Sequence, residues 1–144
     1  MSEQFSDAFW AAKHALSVAA AEAFSRHGVH EGQQYILRRL WQRDGQAPGE
    51  IAKALGLATP TVTRAATRME AAGLLRREPH PNDRRLVLLR LTERGRALEG
   101  VIAAETGKLT ERALASLGPA ERETLIGALR AIRRNLGAAS GEAG

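Results

Sequence analysis

Apolar residues recur with a helical period at both ends of this chain and crowd together only once, past its middle. Over residues 3–27, Phe5, Phe9, Ala12, Leu16, Ala19 and Ala23 fall at alternating steps of four and three, one face of an α-helix, and Trp10, Ala20 and Phe24 widen it. Gly28 ends that helix. Residues 31–43 predict a second, with Tyr35, Ile36, Leu37, Leu40 and Trp41 as its apolar set, and Gly45 and Pro48 break the chain after it. A short helix is expected over Glu50–Leu55, with Ile51, Ala52 and Leu55 as its stripe and Gly56 as its stop. Thr59-Pro60 predicts the next start: threonine suits the N-cap, proline suits the first helical position, and a residue before proline is pushed out of helical geometry. That helix has a buried side, Val62, Ala65, Ala66 and Met69, and a polar side, Thr61, Thr63, Arg64, Thr67 and Arg68; Gly73 closes it.

The period then changes. Leu74–Glu78 and Arg85–Leu91 read as two strands joined by a basic loop, Pro79–Arg84. Thr92 is placed to cap a helix reaching about Ser116, with Leu98, Val101, Ile102, Leu109, Ala113 and Leu117 along one face and Gly107 as a possible bend. After Gly118-Pro119 a last helix, Ala120–Leu136, carries Leu125, Leu129, Ile132 and Leu136 at steps of four, three and four, and Gly137–Gly144 is expected to fray. The expected fold is mainly α with a small β-hairpin wing: a winged helix-turn-helix with long N- and C-terminal helices. Its physical use is to lay the second helix of the motif in a DNA major groove with the hairpin tip beside it.

Charge strengthens that expectation. Between Arg64 and Arg96 there are nine arginines and four acids, so this segment alone carries the whole formal excess of +5 and the rest of the chain is neutral. A cationic face there is what phosphate binding requires, and arginine suits bidentate contacts better than lysine. The 144 residues are about one domain in length, with hydrophobic residues at 44% and aromatics at only 4%, which favours helices. No run approaches a membrane span and the N-terminus lacks signal-peptide character, so a cytoplasmic protein is expected. The absence of cysteine excludes disulfides and thiolate metal sites. No glycine-rich phosphate loop or activated nucleophile is recognisable; neither an enzyme nor a cofactor is expected.

The apolar seams of the terminal helices exceed what a small monomer can cover, so a two-fold dimer is expected, held by Phe5, Phe9, Leu16, Leu125, Leu129, Ile132 and Leu136. Such a dimer spaces two recognition helices about one DNA turn apart. Thr59, Thr61, Thr63, Arg64 and Arg68 are the candidate groove contacts. Arg84 and Arg85 are wing candidates for the minor groove, and Arg76 and Arg77 are either phosphate contacts or solvated charges.

The run IAKALGLATPTVTRAATRMEAAGLLRR, then Asp83-Arg84-Arg85, then LRLTERG from Leu89 to Gly95, resembles the MarR (multiple antibiotic resistance regulator) family of winged-helix transcription factors. VHEGQQYILRRL, Val29 to Leu40, is similar to the family's preceding helix, with His30 where a Ser or Thr cap is usual and Gln34 where an aromatic is common. The resemblance implies a single domain with a DNA-binding lobe at 30–98, a dimerisation lobe at 3–27 and 99–137, and a flexible tail at 138–144. It further implies a homodimeric repressor on a palindromic operator, released by a small aromatic or phenolic ligand, with Asp83 holding the wing arginine in place. A ligand pocket would then draw on Trp10, Lys13, His14, Tyr35 and Arg39, although core and interface packing is the plainer reading of these residues. His27, His30 and Glu31 are too few for structural zinc, and His80 is expected to face DNA or water. The rival functions are non-specific DNA compaction and a winged helix that binds protein instead of DNA.

Overall fold

The computed structural model describes residues 1–30 and 32–140, with 138–140 described by backbone alone. Its elements run α1 (Ser2–Ser25), α2 (Gln33–Gln42), α3 (Pro48–Leu55), α4 (Thr59–Ala71), β1 (Leu75–Pro79), β2 (Val87–Leu91), α5 (Glu93–Ala113) and α6 (Pro119–Ser140). This is the winged helix-turn-helix plan. The strands pair antiparallel from Leu75 opposite Leu91 to Pro79 opposite Val87, and the Leu89 N–H reaches the Gln46 carbonyl at 2.8 Å, tying the α2–α3 connection to the hairpin edge.

Several boundaries move from their expected places, each for a local reason. Pro48 opens α3 instead of ending the segment before it, because its missing N–H is one the first helical turn leaves unbonded anyway. The Glu50 carboxylate turns back toward the Ala47 N–H at 3.4 Å. Thr59 is not the N-cap of α4: Ala58 takes that place with extended φ and ψ, Thr59 and Pro60 occupy the first two helical positions, and no side chain caps the start. The N-cap of α2 is Gly32 at φ 80°, without a side-chain cap, and just ahead of it the Gln33 side-chain oxygen accepts the His30 N–H at 3.0 Å. Helix α1 stops at Ser25, two residues early, and Gly28 turns the chain at φ 78°. Helix α5 continues through Gly107 and ends at Ala113, where Arg122 donates to the Leu114 and Leu117 carbonyls at 3.0 and 3.1 Å and holds the turn. Helix α6 starts on Pro119 and passes Leu136 to Ser140; of the expected tail, 141–144 lie outside the described residues.

The chain divides into two compact units, Met1–Gly107 and Lys108–Gly144. The first holds the buried core. Ile36, Leu37 and Leu40 of α2 are packed with Ile51 and Ala52 of α3, Val62, Ala66 and Met69 of α4, and Leu75, Leu89 and Leu91 of the hairpin. Ala23 and Phe24 close it from α1, and Leu98 and Ile102 from α5. Each fully buried leucine is worth about 1.5–3 kcal/mol, enough to hold the short α3 and α4 that would not persist alone. Gly95 is buried where a side chain would collide with the Leu74 carbonyl, and its own carbonyl accepts the Trp41 indole N–H at 2.9 Å. No helix among the described residues is long and apolar enough to cross a membrane.

Candidate nucleic-acid interface

Helix α4 sorts its residues by face. Val62, Ala66 and Met69 are fully buried, whereas Thr59, Thr61, Thr63, Arg64, Thr67 and Arg68 are exposed. The Thr63 and Thr67 hydroxyls each donate to the carbonyl four residues back, at 3.1 Å, so they lie along the helix. Beside the start of α4 lies a cleft of about 500 Å³ lined by Gly28, His30, Gln33, Thr61, Arg64 and Arg68 among others. Two cations of the recognition-helix face thus border a hollow with the α1–α2 turn as its other wall.

The hairpin distributes its arginines unequally. Arg76 pairs with Glu78 at 2.8 Å, and Arg90 pairs with the other oxygen of Glu78 at 2.6 Å. Those two bonds, Arg90 first, hold the Glu78 carboxyl below its ordinary pKa. Arg77 folds onto α4 and binds Glu70, whose pKa is likewise lowered, first by the Arg77 main-chain N–H and then by its guanidinium. In the wing loop, Arg85 bonds Asp83 yet leaves 89% of its side chain exposed, and Arg84 is exposed as well. The Asp83 carboxyl sits below its ordinary pKa because the Arg85 side chain, then its main chain, donate to it. His80 does not point away from the loop: its Nδ1 accepts the main-chain N–H groups of Asn82 and Asp83 at 3.0 and 3.1 Å. The partners Glu70 and Glu78 were not expected from sequence as parts of this surface. A carboxylate facing a cationic strand across a hairpin becomes recognisable only once the register is known.

The MarR family model matches residues 30–87 of the chain. Over 144 residues the chain is 31% identical to the HTH-type transcriptional regulator TtmR of Methylorubrum extorquens, an alignment spanning 98% of this chain and 71% of that protein. The chain belongs to the MarR family. As a member it is a transcriptional regulator and not an enzyme. Solved MarR-type folds agree with the architecture. A MarR transcriptional regulator from Methanosarcina mazei aligns with a TM-score of 0.77 at 22% identity, covering 92% of this chain and 96% of that one. A MarR family regulator from Listeria monocytogenes, in complex with a 26mer DNA, aligns at 0.71 with 25% identity, covering 90% and 87%.

The remaining candidates of this MarR-family chain are dispersed. Trp10 is exposed, with the Lys13 ammonium 4.8 Å from its ring centre, and Phe9 stands edge-on to it at 5.1 Å. Phe5 stacks on Phe9 at 5.8 Å. His14 and Tyr35 are exposed, and Arg39 is half-buried with its Nε unpaired. None of Trp10, Lys13, His14, Tyr35 and Arg39 lines the cleft beside α4 or a second one of about 540 Å³ between α2 and α5, which Arg38, Trp41, Glu99 and Ile102 border. Leu16, Leu125, Leu129 and Leu136 are exposed, the last by 70%, and Ile132 is half-buried. His27 Nε2 lies 3.2 Å from Glu105 of α5; of the three zinc candidates, Glu31 lies outside the described residues.

Proposed function

We propose that this MarR-family regulator binds an operator DNA sequence as a homodimer, represses from it, and releases it on binding a small aromatic or phenolic ligand. The observation that carries the DNA reading is the two-faced α4. Its apolar side is locked into the core, and Thr59, Thr61, Thr63, Arg64 and Arg68 are left outward beside an exposed wing pair, Arg84 and Arg85. The helix reads the major groove, the wing enters the minor groove, and the exposed Arg76 of β1 meets phosphate. The DNA complex of the Listeria monocytogenes relative supports the same use of the fold.

Dimerisation is supported by apolar side chains that recur uncovered along α1 and along α6, Phe5, Trp10 and Leu16 on the first and Leu125, Leu129 and Leu136 on the second. In this reading 30–98 is the DNA-binding lobe and 3–27 with 99–137 the dimerisation lobe, and the protein is cytoplasmic. A ligand that binds one arrangement of the two half-site readers better than the other shifts the population toward a spacing that no longer fits the operator. The test is selection of duplexes from a random pool, repeated with aromatic carboxylates added. A palindromic consensus lost on ligand addition is the expected result. Uniform protection of any duplex would instead mean non-specific compaction, and no retention at all a protein-binding winged helix.

A further inference from the structure

Arg77 stands in the strand that follows the recognition helix, and cationic residues there invite assignment to the DNA backbone. Its bonds say otherwise. The guanidinium Nη1 donates to Glu70 Oε1 at 2.8 Å, and Nη2 donates to Thr67 Oγ1 at 2.7 Å and to the Thr63 carbonyl at 3.2 Å. The main-chain N–H of the same residue donates to Glu70 Oε2 at 2.9 Å, so both carboxylate oxygens are taken by one residue. The Thr67 hydroxyl accepts from Arg77 and donates to the Thr63 carbonyl at 3.1 Å, which makes the group a connected chain of bonds. Thr63, Thr67 and Glu70 are spaced four and three apart, hence on one face of α4. The Arg77 side chain is only 29% exposed, against 89% for Arg85.

We infer that Arg77 is a positioning residue, a latch that fixes the root of the wing to the recognition helix through Glu70, Thr67 and Thr63, and not a phosphate ligand. The inference rests on the DNA reading above and deepens it. The ion pair is internally neutral and adds nothing to phosphate attraction. What it supplies is the fixed offset between α4 in one groove and the wing in the next, so sequence discrimination depends on an acid carried by the DNA-facing helix itself. The planar fork reaches the carboxylate through one nitrogen and the hydroxyl and carbonyl through another, an arrangement that the single nitrogen of an ammonium does not reproduce.

The test compares wild type, Arg77→Lys, Glu70→Gln and Thr67→Val, each checked by thermal melting, on a duplex selected by wild type and on an unselected duplex of equal length, across a salt series. For Arg77→Lys and Glu70→Gln the latch predicts an affinity loss on the order of tenfold for the selected duplex, little loss for the other, and an unchanged salt slope. Thr67→Val, nearly isosteric, is expected to lose part of the selectivity while melting as wild type. Wild-type binding by Arg77→Lys, tighter binding by Glu70→Gln, or equal losses on both duplexes with a slope shallower by about one, would overturn it. Amide exchange in the DNA-free protein reads the latch separately: β1 amides should exchange faster in Glu70→Gln, and unchanged exchange also overturns the inference. Failure of wild type to select any duplex, with β1 exchange responding as expected, would overturn the DNA reading alone.

Discussion

Asp83 Oδ1 accepts two bonds from one residue, the Arg85 main-chain N–H at 3.0 Å and the Arg85 Nε at 3.1 Å, while Oδ2 meets Nη2 at 3.3 Å. The acid therefore shapes the turn and aims the guanidinium with the same carboxylate. On DNA an isolated carboxylate at this place would repel phosphate. We predict that Asp83→Ala weakens operator binding even though it removes a negative charge. Titration of the selected duplex checks this; tighter binding would remove the orienting role.

Arg85→Ala should cost more than Asp83→Ala, on the order of tenfold or above in affinity, since a well-made arginine contact to DNA is worth about 1–3 kcal/mol. Affinity equal to wild type would take the wing out of the interface.

The wing-side carboxyls Glu70, Glu78 and Asp83 all lie below their ordinary pKa values in the folded protein. The folded state then binds protons less readily than the unfolded chain. Their contribution is fully present above the ordinary glutamate value of 4.5 and is lost as pH falls through the lower folded values. Thermal melts should be flat through the neutral range and fall on the acid side, with a shallower acid-side fall in Glu78→Gln. An acid limb identical to wild type in that variant would contradict the pairing with Arg76 and Arg90.

Gly95→Ala should destabilise the fold by about 1–3 kcal/mol, as overpacked cores do, because the new methyl group meets the Leu74 main chain, which cannot move without dragging β1. Denaturant melts give the value. A neutral result would mean that α5 shifts freely against the hairpin.

Leu129 is exposed by 45% on α6. Leu129→Arg should convert a dimer into a monomer by sedimentation and abolish tight operator binding, since two half-sites then bind independently. A wild-type monomer at micromolar concentration would refute the homodimer directly.

The order of elements was legible because it is written in local physics. Helical spacing marked α1, α2, α5 and α6, and glycine stops at Gly56 and Gly73 bracketed the short helices, both taking left-handed φ, 67° and 77°. The apolar side of α4 was readable for the same reason. What was read less well was local chemistry with two answers: Pro48 can end one segment or open the next, and Thr59 can cap or lie inside.

From sequence alone, then, come the winged-helix plan, its family, and the concentration of arginines between Arg64 and Arg96, because periodicity, turn residues and charge are properties of neighbours along the chain. Which arginine is spent inside and which is left outside was decided by tertiary structure. Arg76, Arg77 and Arg85 look alike in sequence, but Arg76 shares a face of β1 with Glu78, which the hairpin also brings to Arg90, the packing of α4 brings Glu70 to Arg77, and the loop turn leaves Arg85 outward. A charge pair between elements, such as Arg77 with Glu70 or Arg90 with Glu78, depends on separation in space, which spacing along the chain does not determine.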